Sequence, residues 1–287
     1  MTTIAQDTEP STTLATRKIT PAIGAIVDGI DLASDLTEDT VRSIRTALDD
    51  NLVLFFEDQQ ITPAQQRDFA ARFGPLYIHA MYPSAGSVAE ILVLEYDENR
   101  KGHNDTWHSD VTYIETPPQA SLLYAEDVPA VGGDTIWLST YAAYDALAEP
   151  LKKLVADLYA VHDFAKAFRP ERFRQYGLED KLEATYADNK PVRHPVVRTN
   201  PATGRKALFV NPTFTSHLEG VSRRQSDAIL ELLYAHIIEP EFQMRWHWKP
   251  GVVAFWDNRW TQHYAVSDYF PHHRRMRRAT ILGDRPI

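Results

Sequence analysis

The stretch NDTWHSDVTYIETPPQASLLYAED, residues 104–127, decides how this chain is read. It holds two short runs rich in β-branched and aromatic residues, 106–114 and 119–125, parted by Pro117-Pro118. Such runs, bounded by proline or glycine signals, read as strands. The pattern continues downstream in residues 134–138, 192–198, 206–211, 251–256 and 276–282, with Gly132-Gly133 and Thr203-Gly204 among the turn signals. Two helical segments, about 140–158 and 222–238, interrupt the series. Many short strands with few helices predict a sandwich or jelly roll.

Upstream the chain is more mixed. TEDTVRSIRTALD, residues 37–49, predicts an amphipathic helix capped by Thr37 with an acidic first turn. NLVLFFED, residues 51–58, predicts a buried strand. Thr62-Pro63 opens a second helix, to about Phe73, with proline at the first helical position and Gly74-Pro75 beyond its end. ILVLEY, residues 91–96, predicts another strand. With no repeat, linker or low-complexity block, the chain reads as one domain over residues 18–287 behind a flexible N-terminus, 1–17.

A net charge of −9 argues against a general nucleic-acid binder. No apolar run reaches the roughly 20 residues of a membrane span. The start, MTTIAQDTEPSTTLATRKIT, lacks the hydrophobic core of a signal peptide, which predicts a cytoplasmic protein. The absence of cysteine fits a reducing compartment and excludes disulfides, iron–sulfur clusters and thiolate zinc sites. His, Asp and Glu remain as the strong metal ligands.

The opening stretch contains His108-Ser-Asp110. In an extended segment residues two apart share a face, so these side chains can converge on one ion. His263 follows the strand GVVAFWD and the polar turn Asn258–Gln262, a suitable place for a third ligand. Two imidazoles and a carboxylate form the 2-His-1-carboxylate facial triad of non-heme Fe(II) oxygenases, which leaves metal positions open. With eleven histidines present, His103-Asn-Asp105 and His217-Leu-Glu219 compete, and spacing alone does not choose. The polar loop KGHND has no fixed direction, which favours His108. The cluster HHRRMRR, residues 272–278, reads by itself as a solvated turn or basic patch.

Together with GGDTIW (132–137), RHPVVRTNPATGRKALFVNPTFT (193–215), FWDNRWTQHYAVSDY (255–269) and RRMRRATILGD (274–284), the stretch NDTWHSDVTYIETPP resembles the taurine/2-oxoglutarate-dependent dioxygenases over about residues 18–286. The resemblance implies a mainly β fold with flanking helices, a double-stranded β-helix of the jelly-roll type. It implies Fe(II) held by His108, Asp110 and His263, with 2-oxoglutarate and O2 as cosubstrates and no acid–base dyad beyond the metal ligands. Arg274 would hold the distal carboxylate of 2-oxoglutarate, helped by Thr135, with Asn104 and Arg278 nearby. A guanidinium suits that task because its planar fork bonds carboxylates bidentately. Arg278 would also reach the anionic end of the prime substrate, whose pocket would include His79, Tyr82, Asn104, Val111, Phe168 and Phe214. Alternation along the strand and the family motif together send Arg275 and Arg277 outward, to solvent.

The activity so implied is hydroxylation of taurine at the carbon next to sulfur, releasing sulfite and aminoacetaldehyde with succinate and CO2. One departure is visible: Ala167 stands where the family's taurine enzymes have serine, a loss of about 1 kcal/mol in a polar contact. Other alkylsulfonates, alkyl sulfate esters and aryloxyacetates are therefore alternative substrates. A zinc hydrolase or isomerase on the same ligands, and a non-enzymatic metal-binding jelly roll, are the remoter alternatives. The expected partners are a small anionic sulfonate and further copies of the chain, in a dimer or tetramer. Residues 79–105 and 163–190 are the expected mobile loops, being long and placed where substrate must enter.

Overall fold

Alternation along the strands sets the architecture. Val53 and Phe55, Ala254 and Trp256, and Leu123 and Ala125 face one core layer. Their neighbours Leu54 and Phe56, Val253 and Phe255, and Ala120 and Leu122 face another. A sheet buried on both faces reads as a continuous apolar run, which is why VLFF shows no polar position.

The computed structural model describes residues 14–78, 83–102, 104–175 and 177–287. Its eight-stranded sheet runs in the order Thr16–Lys18, Ala25–Val27, Val53–Phe56, Val253–Asp257, Ala120–Asp127, Arg274–Ile281, Val88–Tyr96, Ser84–Ala85. All its pairings are antiparallel except that of Ala25–Val27 with Val53–Phe56. A three-stranded antiparallel sheet, Gln243–Trp246, Thr135–Ser139, Thr261–Ala265, packs on its inner face. Aromatic rings fill the space between the sheets: Phe55 stacks on Trp246 at 3.9 Å and meets Trp137 edge-on at 5.5 Å. The outer face is covered by the helix Glu38–Asn51, through Val41, Ile44 and Leu48, and by Phe69 and Phe73. This is a jelly roll with flanking helices.

Local chemistry accounts for most of the elements. Thr37 caps the first helix by accepting from Thr40 N. Thr62 and Gln65 form a capping box around Pro63 at the start of the helix Pro63–Ala71. The segment expected to be helical over 140–158 divides into Thr140–Ala146 and Glu149–Val155. Pro150 explains the break, because it has no N–H to donate and its ring would meet the carbonyl of Ala146. The 192–198 run likewise divides into Val192–Pro195 and Val197–Thr199, which join different sheets. Pairing begins at Thr16, two residues before the expected domain start at Lys18. Among the described residues no helix is long and apolar enough to cross a membrane.

One expected strand is absent. Of residues 106–114 only His108 pairs, through an isolated bridge to His263. The chain then turns, and Val111 takes a left-handed φ of 53°. Side chains from elsewhere satisfy the backbone here, so the extended conformation favoured by β-branched residues loses to tertiary bonding. Conversely, Thr261–Ala265 is a strand where the sequence suggested a turn reaching Gln262.

Candidate metal centre

The strand Thr261–Ala265 pairs with Thr135–Ser139, setting His263 opposite Trp137. On its other side His108 N donates to His263 O at 3.1 Å and His263 N to His108 O at 2.8 Å. This reciprocal pair makes the two histidines cross-strand neighbours, with ring centroids 4.2 Å apart. Asp110 reaches the same point from the turn. Its Oδ1 lies 3.9 Å from His108 Nε2 and 4.0 Å from His263 Nε2. The convergence therefore comes from a bridge and a turn, not from two residues on one face of a strand.

The donor set fits a divalent metal. His108 Nδ1 lies 2.7 Å from Thr106 O, and only a protonated Nδ1 bonds a carbonyl. Nε2 then lies on the Asp110 side of the ring, the arrangement by which an outer hydrogen bond orients a metal-binding imidazole. Burial pushes the pKa of His263 down to about 3, so that ring is neutral at ordinary pH. Burial, the largest single influence, would raise the Asp110 pKa, but the Arg278 guanidinium at 2.8 Å, the two imidazoles and Ser121 together outweigh it and hold the carboxyl well below its usual range. Ser121 Oγ donates to the other carboxylate oxygen at 3.1 Å. One carboxylate and two imidazoles, with their ligand atoms within 4.8 Å of one another, are a donor set that suits a cation.

The strand Arg274–Ile281 starts early enough to put Arg274, Met276 and Arg278 on the inner face. Arg274 and Arg278 line a cavity beside the imidazoles, together with Thr135, Tyr96, Asn104 and Tyr269. Arg274 is 4% exposed, and its Nε has no hydrogen-bond partner. Among the described residues no acidic side chain pairs with it. A buried cation so placed is costly unless an anion meets it. Gly133 runs beside Arg274 with φ +70°, a left-handed conformation that favours glycine. Thr135 Oγ1 accepts from Trp248 Nε1 at 2.9 Å, and Asn104 Nδ2 lies 3.4 Å from the Tyr96 hydroxyl.

The outward arginines need a correction. Arg275 is partly exposed and pairs with Glu95 at 2.6 Å and Glu126 at 2.7 Å. Arg277, expected in solvent, is only 4% exposed. Its guanidinium lies 4.6 Å from the Tyr124 ring and donates to Ile61 O, while Gln66 holds its carbonyl. The outer face of this sheet is covered, so facing outward there does not mean facing water.

On the other side of the imidazoles lies an aromatic cluster containing Val111, Tyr113, Phe164, Phe168, Phe173 and Phe214. Phe214 stands edge-on to His108 at 6.4 Å, and Ala167 and Tyr77 pack against the cluster. His79, Tyr82 and the rival His103 lie outside the described residues. The other rival, His217-Leu-Glu219, is separate, with Glu219 bonded to Arg193 at 2.5 Å. Sequence reasoning missed Tyr77, Tyr113, Ser121 and Asn258. Only the Asn258 position carried a signal, as a turn residue between a strand and a ligand.

Behind the turn lie two buried histidines. His162 Nδ1 bonds Thr112 Oγ1 at 2.9 Å, and His194 Nε2 bonds the carbonyls of Thr112 and Ile114, each at 3.0 Å. Burial lowers the pKa of His194 to about 4, with the two carbonyls opposing it, and lowers that of His162 well below its ordinary value. Between pH 6.5 and about 4 the unfolded chain therefore binds a proton at His194 that the folded chain refuses. We expect this group to contribute a loss of about 1.4 kcal/mol of stability per pH unit on acidification across that window. Urea midpoints at pH 7 and pH 5 measure it; equal slopes for wild type and His194→Asn would contradict it.

The family model described as taurine catabolism dioxygenase TauD, TfdA family matches residues 15–280. The chain is 37% identical to an alkylsulfatase of Acinetobacter baylyi, over 99% of this chain and 89% of that protein. It is also 37% identical to an alpha-ketoglutarate-dependent sulfate ester dioxygenase of Pseudomonas putida, over 92% of this chain and 88% of that protein. A crystal structure of a taurine dioxygenase from Burkholderia xenovorans superposes with a TM-score of 0.82 at 34% identity, over 96% and 93% of the two chains.

Proposed function

This chain belongs to the TauD, TfdA dioxygenase family, and from that premise we propose that it oxidises an alkyl sulfate ester or alkylsulfonate at the carbon bearing the sulfur group. The reaction uses Fe(II), 2-oxoglutarate and O2. His108, Asp110 and His263 would hold Fe(II), which would activate O2 as the oxidant, so that one oxygen atom enters a C–H bond and the other enters succinate as 2-oxoglutarate loses CO2. Arg274 and Thr135 hold the distal carboxylate of the cosubstrate, and Arg278 faces the sulfur oxyanion. The aromatic cluster takes the organic part of the substrate and keeps water from the reacting carbon. Hydroxylation of a sulfate ester gives a hemiacetal sulfate, which loses sulfate and a proton to leave an aldehyde. A sulfonate gives sulfite by the same collapse.

The observation that carries the alkyl reading is the wall beside His108. Phe214, 6.4 Å from His108, belongs to a buried apolar cluster with Val111, Tyr113 and Phe168, against which Ala167 packs. An alkyl chain gains about 0.8 kcal/mol per buried CH2 against such a wall, a gain that an ammonium group does not share. Two relatives named for sulfate esters support the same choice; the taurine dioxygenase fold match supports a sulfonate as the second arm. We expect medium-chain alkyl sulfates to release sulfate and succinate in equal amounts, at a kcat/KM at least ten-fold (about 1.4 kcal/mol) above that for taurine. A higher kcat/KM for taurine would move the substrate to the sulfonate arm. Turnover without O2 or 2-oxoglutarate would exclude the oxygenase.

A further inference from the structure

We infer that Asn258 is a positioning residue that sets the metal-facing carboxylate; this rests on reading Asp110 as a metal ligand. Asn258 lies in the turn between the strands Val253–Asp257 and Thr261–Ala265 and is 1% exposed. Its side-chain oxygen accepts from Asp110 N at 2.7 Å. Its amide nitrogen donates to Asp110 O and to Pro118 O, both at 3.0 Å. The side chain thus replaces the ladder partner that Asp110 loses when the chain leaves the bridge at His108.

The residue type follows from the task. One acceptor and two donors are needed within a single plane, at a short reach from the backbone. Asparagine supplies that set; aspartate lacks the donors, serine has one, and glutamine carries its amide one methylene too far. The next residue, Val111, has φ 53°, a conformation that a β-branched residue rarely adopts. It is pinned from both sides. Asn258 holds Asp110, while Thr112 Oγ1 is bonded to His162 at 2.9 Å and Asn211 at 3.2 Å. Ser109 Oγ adds a bond to Thr261 O at 2.6 Å. The segment carrying His108 and Asp110 is therefore fastened to the one carrying His263 by buried side chains. A tilt of the Asp110 backbone would swing Oδ1 away from its position 3.9 Å and 4.0 Å from the two imidazole nitrogens.

A merely structural asparagine would affect melting and leave the metal affinity of the folded protein alone. The test compares metal-free wild type, Asn258→Ala, Asn258→Ser and Asp110→Ala, titrated with Mn(II) alone at a temperature where each is folded by near-ultraviolet circular dichroism. We expect Mn(II) affinity to fall about 10- to 100-fold in Asn258→Ala, the range for partners that orient a metal ligand. The visible spectrum of the Co(II)-loaded variant should differ in shape from that of wild type. If Asn258→Ala does not fold, Asn258→Ser, which keeps one donor, carries the same comparison. Wild-type Mn(II) affinity in a folded Asn258 variant, with Mn(II) binding lost in Asp110→Ala, overturns the positioning role. Wild-type affinity in Asp110→Ala overturns instead the ligand reading on which it rests.

Discussion

Replacing Asp110 with alanine is expected to abolish iron-dependent turnover and to destabilise the metal-free protein. Asp110 would be the anionic member of the proposed triad, so its loss would leave only two imidazoles to hold a dication. It also strips a buried guanidinium of its partner. Asp110 and Arg278 are bonded at 2.8 Å with side chains 5% and 10% exposed. Removing one member of such a pair costs about 3–5 kcal/mol, because the other charge stays buried and uncompensated. The two effects separate in the double variant Asp110→Ala, Arg278→Met. There the stranded charge is gone, so the urea midpoint should recover most of the loss while turnover stays at background. Release of sulfate or sulfite with succinate, measured in the presence of Fe(II), gives the second readout. Wild-type release by Asp110→Ala would remove this carboxylate from the metal site.

How far the triad was legible in the sequence depends on the residue. His263 was picked out by its type and its place after a strand and a polar turn, and His108 by local context, since spacing alone did not choose between it and His103. The strand argument that joined His108 to Asp110 identified the pair for a reason that the structure does not bear out. What brings them together is a reciprocal backbone bridge and a turn clasped by Asn258. Periodicity cannot reveal such a clasp, because its donor and acceptor sit 148 residues apart. The inward pair Arg274 and Arg278 was legible only from alternation and the family motif together, because the expected strand, 276–282, began two residues after the observed start at Arg274. The burial of Arg277 was not, because it depends on Gln66 and Ile61 from a segment more than 200 residues away. The missed strand Thr261–Ala265 is half polar, TQHYA, and owes its conformation to Thr135–Ser139 beside it.

The second large effect is expected at Arg274, and its sign on stability should be opposite to that at Asp110. Arg274 is buried, and burial lowers its pKa with Tyr269 and Tyr96 opposing. Its guanidinium lies 5.6 Å from the Tyr269 ring, a weak counterpart for a desolvated charge. Before 2-oxoglutarate binds, therefore, this residue costs the fold free energy. Arg274→Met keeps the aliphatic bulk and discards the charge, so the variant without cosubstrate should match or exceed wild type in its urea midpoint. Binding should suffer in proportion to what the charge contributes. Losing one partner of a buried, hydrogen-bonded ion pair costs about 2–5 kcal/mol, which weakens 2-oxoglutarate by about 30-fold to several thousand-fold. Because a ligand that binds only the folded state raises its stability, wild type should melt higher with 2-oxoglutarate and Arg274→Met should not. Arg278→Met supplies the contrast: it strands Asp110, so it should lose stability without cosubstrate. An Arg274→Met protein that is destabilised yet keeps its 2-oxoglutarate-induced shift would show that the arginine serves the fold, and that the carboxylate is held elsewhere.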